Sequence, residues 1–141
     1  TPGHLVVRTN LGTALLRAGR AEEALPHLAH AIALHPNDHR LRLNMGVALL
    51  KLGRPQHALT HARIATRLKP GALEGWLLLG TVLGSAGRNG EAIEALEQAL
   101  RISPGNPNAL ALIRSIRESE ADTENKSPPG RATPPADPQS P

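Results

Sequence analysis

The chain has 141 residues and a formal net charge of +4, and 40% of its residues are hydrophobic although Trp76 is its only Phe, Tyr or Trp residue. The interior must therefore consist mainly of Leu, Ala, Val and Ile, and because Leu and Ala favour helices we predict an all-α fold. The absence of cysteine excludes disulfide bridges and cysteine-ligated metal sites. The longest apolar runs fall far short of the roughly 20 residues that a membrane-spanning helix needs, so no membrane segment is expected.

Charge is distributed unevenly along the chain. Residues 1–72 hold ten Lys or Arg residues against three acidic ones, whereas residues 73–141 hold six against nine. A basic half can indicate nucleic-acid binding, but this half has no aromatic residue for base stacking and no recognised nucleic-acid motif. Nucleic acid is therefore not expected as a partner.

The chain aligns with itself at a shift of 34 residues. Apolar residues recur at intervals of three and four on both sides of a repeated Gly-Arg pair, which indicates two helices joined by a tight turn. The recurring features include a glycine in the first helix, the Gly-Arg turn and a closing proline. These are Gly12, Gly46 and Gly80; Gly19-Arg20, Gly53-Arg54 and Gly87-Arg88; and Pro36, Pro70 and Pro104.

Three helical hairpins are predicted at residues 5–38, 39–72 and 73–106, which we call units one, two and three, each with its own positions 1 to 34. Burial is expected at positions 4, 7, 8 and 11 of the first helix and at positions 20, 24 and 27 of the second. Gly at position 8 and Ala at position 20 remove side-chain bulk, so the two helices can approach closely. Because Pro2-Gly3 repeats the closing Pro-Gly of later units, residues 1–4 are interpreted as the remnant of a preceding repeat, and a further hairpin is expected upstream.

This pattern resembles the tetratricopeptide family, whose signature is W-x2-L-G-x2-Y, then A-x3-F, then P, at a period of 34 residues. The resemblance covers residues 2 to about 118 and implies an α-solenoid of stacked antiparallel helix hairpins. Position 11 is Leu instead of Tyr, and two other positions also depart from the signature. Position 4 is Arg8, Arg42 and Trp76, and position 24 is Leu28, Ala62 and Leu96 instead of Phe. Looser packing is expected at Ala62.

The last part of the chain departs from the repeat. Residues 107–118 are predicted to form a capping helix, since Asn106 can cap it and charges at Arg114 and Arg117 lie where a further helix would pack. Residues 119–141 contain no Val, Ile, Leu, Met or aromatic residue and are rich in proline, so disorder is predicted. Their Pro-Pro pairs could bind a proline-recognising domain, but a solvated tail is the favoured interpretation.

The sequence contains no nucleophile elbow, no phosphate-binding glycine loop and no acid–base pair, so we expect neither enzymatic activity nor a cofactor. Four histidines lie on the second helices of units one and two. A weak Zn²⁺ or Ni²⁺ site, with Glu23 as a further ligand, is one interpretation of this group. Solvated side chains are the favoured interpretation, so no metal site is predicted. The four residues are His27, His30, His57 and His61.

The remaining candidate surface is the face of each first helix opposite the buried one, at positions 2, 6, 9 and 13. In the tetratricopeptide family this strip lines a concave groove that binds peptides, so the resemblance implies a peptide-binding role. An ordinary solvated helix face is the alternative interpretation. The candidate groove residues are Val6, Asn10, Thr13, Arg17, Arg40, Leu43, Asn44, Val47, Lys51, Glu74, Leu77, Leu78 and Thr81.

Two binding schemes of the family can be compared with these positions. The carboxylate clamp of chaperone-binding members requires Lys, Asn and Arg residues at five positions, of which only Asn44 matches, so binding of chaperone tails is not expected. The second scheme is a ladder of Asn at position 6, similar to that of O-GlcNAc transferase, in which Asn10 and Asn44 form two rungs and Leu78 ends the ladder. An Asn amide both donates and accepts, so it can pair with a peptide main chain.

We predict a non-catalytic scaffold that binds a protein or peptide segment, with an acidic segment favoured beside Arg17, Arg40 and Lys51. One alternative is an accessory region of a larger enzyme, of the glycosyltransferase or sulfotransferase type, whose catalytic domain lies elsewhere. Another is self-association through the ends of the repeat array, around Leu5 and Val7.

Overall fold

The computed structural model describes residues 2–126, in which all regular elements are α-helices. Consecutive helices pack against each other, and each first helix also contacts the first helix of the next unit. The predicted all-α solenoid of stacked hairpins is therefore confirmed. Within this described range no helix combines the length and hydrophobicity needed to cross a membrane. The helices are α1 (Pro2–Arg17), α2 (Ala21–Leu34), α3 (His39–Lys51), α4 (Pro55–Leu68), α5 (Leu73–Ser85), α6 (Asn89–Ile102) and α7 (Pro107–Lys126).

The turn inside each hairpin is built in the same way in all three units. Its glycine adopts a positive φ, of 78°, 68° and 74° at Gly19, Gly53 and Gly87, which glycine tolerates far better than other residues. The N–H of the following arginine donates to a carbonyl five residues earlier, as in Arg20 to Leu15 at 2.9 Å. This bond satisfies a carbonyl at the end of the first helix, so the predicted Gly-Arg turn ends one helix and starts the next.

The interior of each hairpin contains the small residues that the repeat predicted. Positions 20, 24 and 27 are buried in every unit, and Ala62 is fully buried. Position 8 has little room for a side chain: a Cβ built on Gly80 would lie 2.5 Å from Cγ of Leu96 and 3.3 Å from the carbonyl oxygen of Ala92. Because Leu96 is itself fully buried, it has little space into which to move.

Gly80→Ala is therefore expected to lower the free energy of unfolding by about 1–3 kcal/mol through overpacking. The loss should appear even though Ala is favoured over Gly in a helix by about 1 kcal/mol. Gly90→Ala is the matched control, because a Cβ there meets nothing within 4 Å and the helix propensity alone should act. Urea denaturation of both variants tests this, and a Gly80→Ala protein as stable as Gly90→Ala would contradict it.

Position 4 is not part of the buried core, contrary to the prediction. Arg8 is exposed, while Arg42 and Trp76 are half-buried. In units two and three this side chain donates to the carbonyl oxygen of the proline that closes the preceding unit, over 3.1 Å from Arg42 Nε to Pro36 and 2.7 Å from Trp76 Nε1 to Pro70. The residue thus lies at the edge of the core, where a long side chain with an N–H donor can reach that carbonyl oxygen.

Position 7 is buried in units two and three, at Met45 and Leu79, but Leu11 is 41% exposed. Met45 and Leu79 lie on helices that are covered by the second helix of the preceding unit, as α2 covers α3. No described helix covers α1 in this way, so the expected burial of Leu11 does not occur within residues 2–126.

Two predicted boundaries differ from the structure. Residues 2–4, interpreted as the remnant of a preceding repeat, form the first turn of α1, while the upstream hairpin stays a prediction. Helix α7 continues to Lys126, so the start of the disordered tail at residue 119 was placed too early. Residues 119–126 are free of Gly and Pro, and their Glu, Ala and Lys residues favour a helix. Residues 127–141 of the predicted tail lie outside the described residues.

Helix α7 caps the stack as its sequence predicted. The side-chain Oδ1 of Asn106 accepts hydrogen bonds from the backbone N–H groups of Asn108 and Ala109, both at 3.1 Å. Ala109 and Ile113 are buried, and Arg114 is exposed on the outer side. The helix therefore contributes an apolar face to unit three and a polar face to water.

Deletion of Asn106 to Pro141 is expected to lower the melting temperature and promote aggregation, because it uncovers the apolar residues of unit three that α7 contacts. Deletion of residues 119–141 should change the melting temperature little, since residues 119–126 are exposed throughout. Circular dichroism melting curves compare the two truncations. A large drop for the shorter deletion would show that the end of the chain docks on the repeats.

Candidate functional site

Eleven of the thirteen candidate groove residues line two neighbouring depressions on the first-helix side of the stack. We call the first the polar groove: it lies along α1 and α3, with a volume of about 1120 Å³, and it includes Asn10, Arg17 and Arg40. We call the second the apolar groove: it lies among α3, α5 and α7, with a volume of about 570 Å³. The candidates Thr13, Leu43 and Asn44 line the polar groove, Val47, Leu77, Leu78 and Thr81 line the apolar groove, and Glu74 borders both.

Two candidate residues lie outside these depressions. Val6 is 59% exposed and Lys51 is also exposed, yet neither lines the polar or the apolar groove. Lys51 is the last residue of α3 and lies beyond the part of the helix that lines the two grooves. The cationic part of the polar groove therefore consists of Arg17, Arg40 and Lys69, the last of which follows α4 and was not a candidate.

Leu78 borders the apolar groove but is only 7% exposed, so little of its side chain is open to a ligand. A Cβ built on Gly46 would lie 2.8 Å from Leu78 Cδ2, whereas the equivalent glycines of units one and three meet the leucine at position 24 of their own unit. Unit two has Ala62 at position 24, so the side chain nearest to its glycine comes from the next unit. Only the edge of Leu78 borders the apolar groove, and the half-buried Leu77 presents more of its surface there.

A hydrogen bond between neighbouring units orients the amide of Asn44. Its Nδ2 donates to Oγ1 of Thr13 over 3.0 Å, and that hydroxyl donates to the carbonyl oxygen of Thr9 over 2.9 Å. Position 9 of one unit thus contacts position 6 of the next. The same two positions are Val47 and Leu78 between units two and three, so the groove changes from polar to apolar along the stack.

Sequence reasoning missed the part of α7 that lines the apolar groove. Asn108, Ala111 and Leu112 of this helix face Val47 and Leu50 across the depression. A signal was present, since Leu112 occupies position 6 when α7 is numbered as a fourth first helix. The capping helix therefore forms one wall of the candidate site in addition to ending the stack.

Two of the four histidines of the sequence-predicted group lie together on the other side of the stack. His57 and His61 line a cleft between α2 and α4, and Arg42 Nη1 lies 3.5 Å from His61 Nδ1. Burial lowers the pKa of His61, and the positive charges of Arg42 and His57 lower it further. Among residues 2–126 no three His, Cys, Asp or Glu side chains are grouped closely enough to hold a metal ion.

The lowered pKa of His61 predicts a loss of stability in mild acid. The unfolded chain, with an imidazole pKa near 6.5, binds the proton more readily than the folded chain, so the stabilisation by neutral His61 is present above that value. It is lost as the pH falls through the folded pKa. His61→Gln should therefore lose less stability than the wild type when urea denaturation is measured from pH 7 to pH 5.

His30→Gln changes an exposed imidazole on α2 and serves as the control. It should retain the pH dependence of the wild type. If the free energy of unfolding depends on pH equally in the wild type and in His61→Gln, the loss of stability in mild acid does not come from His61.

Comparison of the chain with known protein families finds a match to one of them. A model of the tetratricopeptide repeat matches residues 9–72 and 43–107. No curated protein matches the chain.

Solved structures share the fold at low sequence identity. The first TPR domain of human RPAP3 superposes with a TM-score of 0.80 at 21% identity, covering 90% of this chain and 100% of that one. The second TPR domain of human RPAP3, solved with an HSP70 peptide, has a TM-score of 0.77 at 23% identity and coverages of 83% and 98%. The TPR domain of Sgt2 from Aspergillus fumigatus has a TM-score of 0.80 at 18% identity and coverages of 97% and 92%.

Proposed function

Because the chain belongs to the tetratricopeptide repeat family, we propose that it is a non-catalytic scaffold that binds an extended segment of a partner protein. The segment lies along the first-helix side, across the polar and the apolar groove. The observation that carries this proposal is the change in chemistry between two adjoining depressions on one face. Such a face favours one direction of the bound segment over the other.

The polar groove suits an acidic stretch of the partner. Arg17 and Arg40 are exposed there, and the Asn10 and Asn44 amides can pair with a peptide main chain without reading its sequence. Asp38 and Glu74 also border the groove. Oδ1 of Asp38 already accepts from the backbone N–H groups of Arg40 and Leu41 at the start of α3. Glu74 stands where the polar groove meets the apolar groove, so the acidic stretch lies on the side of Arg17 and Arg40. The exposed arginines contribute about 1 kcal/mol or less each and act mainly on encounter and orientation.

The apolar groove supplies most of the binding free energy in this scheme. Its lining residues Val47, Leu50, Leu77 and Leu112 are all partly exposed, so a partner side chain can contact them. Burial of one Leu- or Phe-sized side chain there would contribute about 1.5–3 kcal/mol. The expected segment therefore has its acidic residues toward α1 and an apolar residue toward α7.

The related structures support a peptide ligand, whereas this chain's own residues do not favour the chaperone mode. The second TPR domain of human RPAP3 was solved with the HSP70 peptide SGPTIEEVD, which is acidic near its carboxyl end. In this chain, two of the five clamp positions are Glu74, which would repel a carboxylate, and Leu78, which is buried. An internal acidic and apolar segment is the ligand that this groove favours.

A peptide library screened at low and high ionic strength tests the proposal. Wild-type protein should enrich peptides that combine acidic and apolar residues, and high salt should weaken their binding. Arg17→Glu with Arg40→Glu should lower the affinity for these peptides by about tenfold, in line with the small contribution of each exposed charge.

Lys51→Glu is the matched control, because this lysine is exposed but lies outside both grooves, and it should retain most of the affinity. Leu112→Ser tests the apolar groove separately and should weaken binding at both salt concentrations. Enrichment that is indifferent to salt and to the arginine substitutions would refute the proposal.

A further inference from the structure

Two clefts on the second-helix side of the stack are built from equivalent positions. The first cleft lies among α2, α3 and α4, and the second lies among α4, α5 and α6. Met45 and Leu49 line the first, and Leu79 and Leu83 stand at the same two repeat positions in the second. All four are buried, so both clefts have an apolar floor.

The second cleft is covered by an ion pair. Arg63 Nη2 of α4 lies 3.4 Å from Glu91 Oε2 of α6, and both residues line the cleft. The aliphatic stem of an arginine can cover apolar surface while its guanidinium stays in water. The remaining volume of the second cleft is about 250 Å³.

The first cleft lacks both members of this pair. Ala29 stands where the second cleft has Arg63, and His57 stands where it has Glu91. The volume is correspondingly larger, about 510 Å³. Without the arginine stem, the apolar floor at Met45 and Leu49 is open to a ligand from outside.

The rim of the first cleft offers ring and hydroxyl hydrogen-bonding groups and no carboxylate, with one cation, Arg42, beside it. His57 and His61 line it, Arg42 contacts His61, and none of the lining residues is acidic. The nearby carboxylate of Glu22 already pairs with Arg54 at 3.3 Å. A ligand that combines an apolar group with a carboxylate, which can accept hydrogen bonds at this rim beside Arg42, therefore fits this cleft.

We propose that the first cleft is a second docking site, which binds a partner segment carrying a bulky apolar side chain next to an Asp or Glu. The apolar side chain fills the space that the Arg63 stem takes in the second cleft, and the carboxylate lies opposite His57 and His61. This site opens between the second helices α2 and α4, away from the polar and apolar grooves. The protein can thus hold one partner segment on each side of the stack.

Met45 is the only methionine of the chain, so its ¹³C-labelled methyl group reports directly on the cleft floor. The probe is a capped tripeptide, Glu-Phe-Glu, whose aromatic ring shifts nearby methyl signals. It is compared with Lys-Phe-Lys, which has the same ring and the opposite charge. We expect a saturable shift of the Met45 signal with Glu-Phe-Glu and at least about tenfold weaker binding of Lys-Phe-Lys.

The chain itself supplies the matched variants. Ala29→Arg with His57→Glu copies the cover of the second cleft and should weaken Glu-Phe-Glu binding at least about tenfold. Arg63→Ala with Glu91→His opens the second cleft, and Trp76, the only tryptophan and a lining residue there, should then report binding by fluorescence. Melting curves establish that each variant is folded.

Arg17→Glu with Arg40→Glu should bind the probe as the wild type does, which separates this site from the groove. The proposal is overturned if the Met45 signal does not move, or if both peptides shift it equally. It is also overturned if Ala29→Arg with His57→Glu binds Glu-Phe-Glu as well as the wild type does. Loss of binding in Arg17→Glu with Arg40→Glu would overturn it too.

Discussion

The close approach of the two helices in each hairpin, made possible by glycine at position 8, is the constraint on which the rest of the structure depends. In units one and three the leucine at position 24 occupies the space beside this glycine, so a methyl group at Gly80 would meet Leu96 at 2.5 Å. Close packing on one side of a first helix determines the direction in which its opposite side points. The groove positions thus gain a defined orientation from a contact in which they take no part.

Unit two shows how a change inside one hairpin alters the surface of the next. Ala62 is smaller than the leucine found at position 24 elsewhere, and the glycine beside it meets Leu78 of α5 instead. Leu78 becomes buried, and the apolar groove is then formed by Leu77 and by Leu112 of α7. The surface of a repeat protein therefore depends on the packing between neighbouring units as well as on each unit's own sequence.

The sequence predicted the features that are decided within one repeat. The spacing of apolar residues predicted the helices, the Gly-Arg pairs predicted the turns, and Asn106 predicted the N-cap of α7. Each of these features depends on residues that are close together in the chain. The burial of Leu78 and the bonding of Asn44 to Thr13 depend on contacts between units, which no single repeat contains. The predicted burial of position 4 was wrong for a related reason, since Arg42 and Trp76 both donate to a carbonyl oxygen that belongs to the preceding unit.

The two outer clefts show why such a fold can acquire different binding surfaces at little cost. Their floors are buried and contribute to stability, whereas the residues that cover or open them are exposed. The side chains of Arg63 and Glu91 are 50% and 47% exposed, and an ion pair of that kind contributes at most about 1 kcal/mol. The first cleft has Ala29 and His57 at these two positions, and it keeps the same buried floor positions beneath a surface of different shape and charge. Binding specificity can therefore vary from one repeat to the next while the stack remains the same.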